Sequence, residues 1–206
     1  MSRHSVELKT NEQIILMRDA GLATAAALRE VRKAIRQGVS TLELDAIAEA
    51  TIIAKGGHSN FKLVPGYSHT ICASINDEVV HGIPSATRVL KAGDIISVDC
   101  GAEIGEWNGD SAITVIVPNE DGTQVDSDLV RARQVLSDVT EQSLWAGIAA
   151  LAKADHIGCA LTFQVFGEFV DGRDRGTGFL RNGQRPRGMV AMGMRNHSFF
   201  NRLLWI

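Results

Sequence analysis

Residues 95–117 read IISVDCGAEIGEWNGDSAITVIV, and this stretch decides the fold. Two apolar runs flank a centre that contains several glycines, which predicts two β-strands joined by a hairpin turn. Each predicted strand carries an aspartate, Asp99 in the first and Asp110 in the second. Strand interiors are depleted in Asp because its short polar side chain prefers turns and caps. The two carboxylates therefore need a physical reason to be where they are.

The hairpin suggests what that reason is. A turn about Ile104–Gly105 would place Asp99 directly opposite Asp110, with their Cβ atoms ~5 Å apart. We expect the apolar strands to be mostly buried, where two like charges need a compensating partner. No Lys or Arg lies between Gly93 and Val130, so a pair of divalent metal ions is the economical partner. The alternative is that one Asp caps the turn while the other faces water.

The composition is that of a globular protein: 206 residues, 45% hydrophobic, 22% charged, with a net charge of −3. This charge indicates no specific nucleic-acid partner. Three scattered cysteines, Cys72, Cys100 and Cys159, form neither a disulfide framework nor a zinc-ligand pattern and suit a reducing compartment. The first residues contain no apolar signal region, and no apolar run is long enough to span a membrane. We expect a cytoplasmic monomer without a membrane partner.

The other elements are predicted by capping and periodicity. Two capping-box patterns each precede a helical apolar pattern that a glycine can end. Alternating apolar residues predict a strand before the hairpin, and a proline-free segment rich in Ala and Leu predicts a long helix after it. The capping boxes are Thr10–Gln13 and Ser40–Glu43, the terminators Gly38 and Gly56–Gly57, the strand residues 71–75 and the long helix about 127–153.

Three motifs together carry a family resemblance: GYSHTICASINDEVVHGIP at 66–84, GDIISVDCG at 93–101 and WNGDSAITVIV at 107–117. In order, spacing and flanking residues they closely resemble the methionine aminopeptidases, especially the bacterial type I enzymes, over about residues 10–151. The resemblance implies an α+β pita-bread fold, in which two pseudo-symmetric halves surround a dinuclear metal site. It also implies removal of the initiator methionine from nascent chains whose next residue is small.

The resemblance assigns roles to five residues. It implies that Asp99 and Asp110 bind two divalent ions, which could be Co, Mn, Fe or Zn. It makes His81 the histidine that contacts the substrate and helps to stabilise the transition state. Tyr67 and Cys72 fall where the family lines its methionine pocket. These roles suit metal-assisted hydrolysis, because metal ions activate water and polarise a carbonyl while a histidine can donate a hydrogen bond to the reacting amide.

The second half of the family pattern is not matched. The family takes one His and two Glu ligands from that half, but Glu168 is the single glutamate after Glu141, and His156 and His197 lie in no matching motif. We therefore divide the chain into the N-terminal half of a pita-bread domain, 1–154, and a divergent Arg-rich segment, 155–206.

Three interpretations of function follow. The first is an aminopeptidase, active with ligands from an atypical tail or impaired by the unmatched ligands. The second is an inactive pita-bread protein that binds peptide N-termini or has no activity. The third is a contact with a nucleic acid or with the ribosome through the Arg-rich segment.

Overall fold

The computed structural model describes residues 9–151, with side chains described through residue 149. The elements in chain order are α1 (Asn11–Ala34), α2 (Thr41–Ala54), a short 3-10 turn (Phe61–Leu63), β1 (Ile71–Ile75), β2 (Ile95–Ile104), β3 (Trp107–Ile116) and α3 (Ser127–Leu151). The chain divides into two compact units, and of the described residues those through Gln134 belong to the first and those from Val135 onward to the second.

Both predicted capping boxes are confirmed. The Thr10 hydroxyl accepts a hydrogen bond from the Gln13 backbone N–H at 3.3 Å, and the Gln13 side chain accepts one from the Thr10 N–H at 2.8 Å. Ser40 and Glu43 form the same reciprocal pair at the start of α2. Each box satisfies two backbone N–H groups that a helix start otherwise leaves without a partner. Local sequence therefore fixes where both helices begin.

The three strands form one antiparallel sheet in the order β1–β2–β3. The strand predicted over 71–75 is confirmed, and the 95–117 stretch forms the predicted hairpin. The hairpin closes at the Ile104–Trp107 pair, which leaves Gly105 and Glu106 as a two-residue turn. Both turn residues have positive φ, 54° and 71°. Two consecutive positive φ angles are the signature of the type I′ turn, whose twist matches that of antiparallel strands.

One face of the sheet packs on the helices and forms the core. The strand residues on this face share near-complete burial: Ile71, Ala73, Ile96, Val98, Cys100 and Ala102. They meet Ala27, Val31, Leu44 and Ile52 of α1 and α2 in one hydrophobic cluster. Gly109 of β3 brings the sheet close to α1, since a Cβ atom there would lie 2.5 Å from the backbone nitrogen of Gly21. Helices α1 and α2 thus cover one face of the sheet.

The long helix predicted over about 127–153 is observed as α3, whose described length ends at Leu151. Among residues 9–151, none of the helices has the combined length and apolar character that crossing a bilayer requires. The predicted boundary between residues 154 and 155 lies outside the described residues and stays a prediction.

Candidate metal centre and peptide site

The hairpin register corrects the predicted pairing of the two aspartates. Asp99 lies opposite Ala112, and Asp110 lies opposite Gly101. The expectation that the carboxylates face each other directly is therefore wrong, because the turn sits one residue later than the sequence reasoning assumed. A shift of the turn by one residue moves the pairing by two, which keeps every side chain on its face of the sheet. Asp99 and Asp110 are consequently diagonal neighbours on the same face, at a typical separation of ~7–8 Å.

This face, which we call the polar face, lies opposite the core. Its residues alternate along each strand with those of the core face. Most are polar or small: Cys72, Ser74, Ser97, Asp99, Gly101, Glu103, Asn108, Asp110, Ala112 and Thr114; Ile95 and Ile116 lie at its end. A hydrogen bond of 2.9 Å between the hydroxyls of Ser97 and Thr114 joins two of them across the strands. Asp99 and Asp110 are both half-buried. The expectation that the apolar strands are mostly buried is confirmed for Ile96, Val98 and Cys100, while Ile113 and Val115 are partly buried against the same core. The two aspartates lie on the opposite, polar face of the sheet.

Cys72 and Tyr67 lie beside Asp99. Cys72 is the direct cross-strand partner of Asp99 in the β1–β2 pair. The Tyr67 hydroxyl donates a hydrogen bond of 2.6 Å to the Ile71 carbonyl and lies 3.3 Å from the Cys72 sulfur. The structure therefore brings three of the predicted site residues, Asp99, Cys72 and Tyr67, together on one side of the sheet.

The electrostatics of this cluster keep the tyrosine and the cysteine neutral. Burial is the largest cause that raises the pKa of Tyr67 far above its usual range, and its contact with Cys72 raises it further. Burial also raises the pKa of the Cys72 thiol, and the negative charges of Asp99 and Asp110 add to that effect. The Tyr67 hydrogen bond lowers the Cys72 pKa, but the net direction is upward. The Cys72 side chain is thus a neutral, polarizable thiol that a ligand can pack against, and not a thiolate nucleophile.

Asp45 is a site residue that the sequence reasoning missed. This α2 carboxylate is only 5% exposed. One of its oxygens accepts hydrogen bonds from the backbone N–H groups of Thr70 at 2.7 Å and Ile71 at 2.9 Å. The other lies 3.2 Å from Nδ1 of His69, whose ring stacks edge-on against Tyr67 with 5.9 Å between centroids. Asp45 therefore anchors the start of β1 and, through His69, the ring of Tyr67.

Asn60 and Phe61, which the sequence reasoning also missed, cover part of the polar face. A Cβ atom on Gly101 would lie 2.0 Å from Oδ1 of Asn60 and 2.7 Å from the Phe61 ring. Glycine is thus the residue that lets this segment approach β2. The Asn60 amide donates a hydrogen bond of 2.9 Å to the Asn108 side chain, and Phe61 packs edge-on against Tyr67 with 6.4 Å between centroids. Phe61, Tyr67 and the Cys72 thiol together offer an apolar wall next to the carboxylates.

Two buried oxygens near this wall have no hydrogen-bond partner among the described residues. Oδ1 of Asn60 and Oγ1 of Thr70 are buried and accept no hydrogen bond from the residues that the structure describes. A buried polar atom without a partner is costly, which favours a bound polar group at this place. Thr70 immediately precedes β1 and is fully buried.

His81 lies in the loop after β1 and is exposed. Its backbone adopts a positive φ of 60°, which is uncommon for a residue other than glycine. The following residue, Gly82, accepts a hydrogen bond of 2.8 Å from the Ala73 N–H and donates one of 3.1 Å to the Ser74 hydroxyl. Because the Ser74 side chain belongs to the polar face, the His81 loop runs along the β1 edge of that face.

The two aspartates meet part of the requirement for a metal centre. Carboxylate oxygens suit divalent ions such as Mn²⁺, and Asp99 and Asp110 occupy one face at neighbouring positions. Within the described range 9–151, however, His, Cys, Asp and Glu form no group of three or more that could hold a metal ion. The donor chemistry therefore fits, and Asp99 and Asp110 are the two candidate ligands among the described residues. His156, Glu168 and His197 lie outside the described residues.

Comparison with known proteins points to one family. A profile of metallopeptidase family M24 matches residues 15–172. Methionine aminopeptidase 1 of Mycobacterium tuberculosis is 44% identical over 155 residues, covering 75% of this chain and 55% of that protein. Methionine aminopeptidase 1 of Bacillus subtilis is 44% identical over 140 residues, covering 68% and 52%. The crystal structure of a methionine aminopeptidase from Thermotoga maritima aligns with a TM-score of 0.65 at 31% identity, covering 79% of this chain and 63% of that one.

These comparisons confirm the resemblance seen in the motifs and the predicted α+β fold class of the pita-bread type. The chain spans about half the length of the curated relatives it matches, 55% and 52% in the two cases above.

Proposed function

Because the chain belongs to metallopeptidase family M24, we propose that it removes the N-terminal methionine from peptides with the help of divalent metal ions. The observation that carries this proposal is the placement of Asp99 and Asp110 on one face of the sheet, beside the Tyr67 and Cys72 wall. The substrates are the N-termini of newly made proteins in which a small residue follows the methionine, and the compartment is the cytoplasm. The identity of the physiological metal is left open among Co, Mn, Fe and Zn.

The metal ions would be held in part by Asp99 and Asp110. When bound, divalent ions supply Lewis acidity to the scissile carbonyl and to water. The role of the two carboxylates is to hold this positive charge at the polar face, which the Asn60 segment approaches closely at Gly101. Within residues 9–151, these two carboxylates are the ligands that we propose.

The substrate side of the site consists of neutral groups. The raised pKa values of Tyr67 and Cys72 leave a phenol and a thiol against which the methionine thioether can pack. His81, exposed at the β1 edge, donates a hydrogen bond to the scissile amide or to the negative charge that develops on it. Each group thus binds or orients the peptide while the carboxylates hold the ions.

Turnover of a Met-Ala peptide by the purified chain tests this proposal. We expect methionine release that requires added Mn²⁺ or Co²⁺ and that Asp99→Ala and Asp110→Ala each abolish. His81→Ala should lower kcat and leave the metal content unchanged, because the imidazole acts on the substrate. Asp19→Ala is the matched control, since Asp19 is an exposed carboxylate of α1. Full activity in both Asp99→Ala and Asp110→Ala would overturn the assignment.

A second candidate is a chain that binds peptide N-termini without hydrolysing them. It is favoured by one observation, that the described residues contain no cluster of three metal ligands. Under this alternative, a Met-Ala peptide binds at the Tyr67 and Cys72 wall but is recovered intact with every divalent metal. Tyr67→Ala would weaken that binding, whereas Asp99→Ala would leave it unchanged.

A further inference from the structure

The loop segment immediately around His81, residues 79–83, is not held by hydrophobic packing of its own side chains. Its three apolar side chains, Val79, Val80 and Ile83, are 87%, 65% and 60% exposed. His81 nevertheless keeps a left-handed backbone conformation with a φ of 60°. A residue other than glycine keeps such a conformation only where the surrounding structure enforces it. Hydrogen bonds must therefore supply the restraint that packing does not.

Part of the restraint comes from the two ends of the loop and its middle. At the start, the Asn76 side chain donates a hydrogen bond of 2.9 Å to Asp94 and accepts one of 3.2 Å from the Ile95 N–H. In the middle, Gly82 pairs with the backbone of Ala73 and the hydroxyl of Ser74. These contacts fix residues 76 and 82. They do not connect the chain before His81 to the chain after it.

Glu78 and Arg88 make that join. The Glu78 carboxylate accepts a hydrogen bond of 2.7 Å from the Ile75 N–H at the end of β1 and forms an ion pair with Arg88. The other arm of the Arg88 guanidinium donates a hydrogen bond of 2.6 Å to the Ile83 carbonyl. A single planar group thus links the chain before His81 to the chain after it. This fork geometry is a property of arginine that lysine lacks.

We propose that Arg88, acting with Glu78, is a positioning residue that clasps the loop and holds His81 at the polar face. The role of His81 rests on the proposed function above. The clasp itself, by which we mean the Glu78–Arg88 ion pair together with the Arg88–Ile83 hydrogen bond, does not. Arg88 touches neither substrate nor metal in this scheme and acts through the backbone on either side of His81. The Arg88 side chain is 23% exposed and that of Glu78 is 41% exposed, so the ion pair lies at the surface and would hold weakly alone. The hydrogen bonds to the Ile75 N–H and the Ile83 carbonyl supply the rest of the restraint.

Amide hydrogen exchange and steady-state kinetics on the full chain test the clasp. The variants are Arg88→Ala, which removes both bonds, and Arg88→Lys, which keeps the charge and loses the fork. Lys33→Ala is the matched control, because it breaks the Lys33–Glu30 ion pair on the exposed face of α1, away from the loop. The reporters are the N–H groups of Gly82 and Ala73, whose hydrogen bonds define the loop position.

We expect exchange at both reporters to accelerate by at least about tenfold in Arg88→Ala, and by less in Arg88→Lys, with β2–β3 amides unchanged. We also expect kcat to fall about tenfold or more with KM within about twofold, because His81 acts in the transition state. Lys33→Ala should match the wild type in both readouts. Unchanged exchange at Gly82 in Arg88→Ala would overturn the clasp, and so would accelerated exchange with unchanged kcat. A wild-type chain without turnover would instead reject the proposed function, and exchange at Gly82 would still decide the clasp.

Discussion

Replacing Asp45 by alanine should destabilise the chain more than any substitution of an exposed carboxylate. The change leaves the backbone N–H groups of Thr70 and Ile71 without their acceptor, and these bonds measure 2.7 and 2.9 Å in a buried position. Each buried donor left unsatisfied costs about 1–3 kcal/mol. Relief from burying the carboxylate charge offsets part of this cost, so we expect a net loss of about 3 kcal/mol. Typical domains are stable by only about 5–15 kcal/mol.

Urea denaturation followed by circular dichroism measures this loss. With an m-value of about 2 kcal/mol/M, the midpoint of Asp45→Ala should fall by about 1.5 M. Asp45→Asn keeps a carbonyl oxygen for the two amides and should lose only about 1 kcal/mol. Asp19→Ala, at an exposed position of α1, should stay within about 0.5 kcal/mol of the wild type. An Asp45→Ala midpoint equal to that of Asp19→Ala would refute the anchoring role of Asp45.

Three further outcomes are expected. Gly101→Ala should lower the free energy of unfolding by about 1–3 kcal/mol, because the new Cβ would meet Oδ1 of Asn60 at 2.0 Å. Urea denaturation measures this, and a stability equal to that of the wild type would mean that the Asn60 segment moves away freely. Cys72 should be alkylated by iodoacetamide only at a higher pH than a free thiol, since burial raises its pKa; peptide mass spectrometry measures this, and rapid modification at pH 7 would contradict it. Ser40→Ala should cost about 1 kcal/mol through loss of the bond to the Glu43 N–H, and thermal denaturation that matches the wild type would contradict it.

The helices and strands could be predicted from sequence because their signals are local. The Thr10–Gln13 and Ser40–Glu43 boxes mark the helix starts within four residues of chain, and alternation marks β1 within five. The hairpin was also predictable, but its register was not. A turn placed at 104–105 in place of 105–106 changes the partners of both aspartates while leaving the apolar pattern intact. Side chains alternate between the two faces of a strand every two residues, and the corrected turn shifts the pairing by two. The prediction that both aspartates share one face therefore remains correct.

The parts of the site that escaped sequence reasoning depend on long-range contacts. Asp45 anchors residues 25 and 26 positions further along the chain, and Asn60 meets Asn108 across 48 positions. One local signal for Asp45 did exist. Its spacing from Thr41, Ala48 and Ile52 places a carboxylate on the buried stripe of α2, where a charged residue needs a partner. No comparable signal marks Asn60, whose role depends on the missing side chain at Gly101.

Calorimetric titration of Mn²⁺ into metal-free protein tests most directly whether Asp99 and Asp110 hold divalent cations. We expect the wild type and Asp19→Asn to bind with the same affinity, and Asp99→Asn and Asp110→Asn each to bind at least about tenfold more weakly, because each loses a charged ligand. Circular dichroism should show all four proteins equally folded, since both aspartates are only half-buried. Equal Mn²⁺ affinity in all four proteins, or no binding by the wild type, would contradict the metal site.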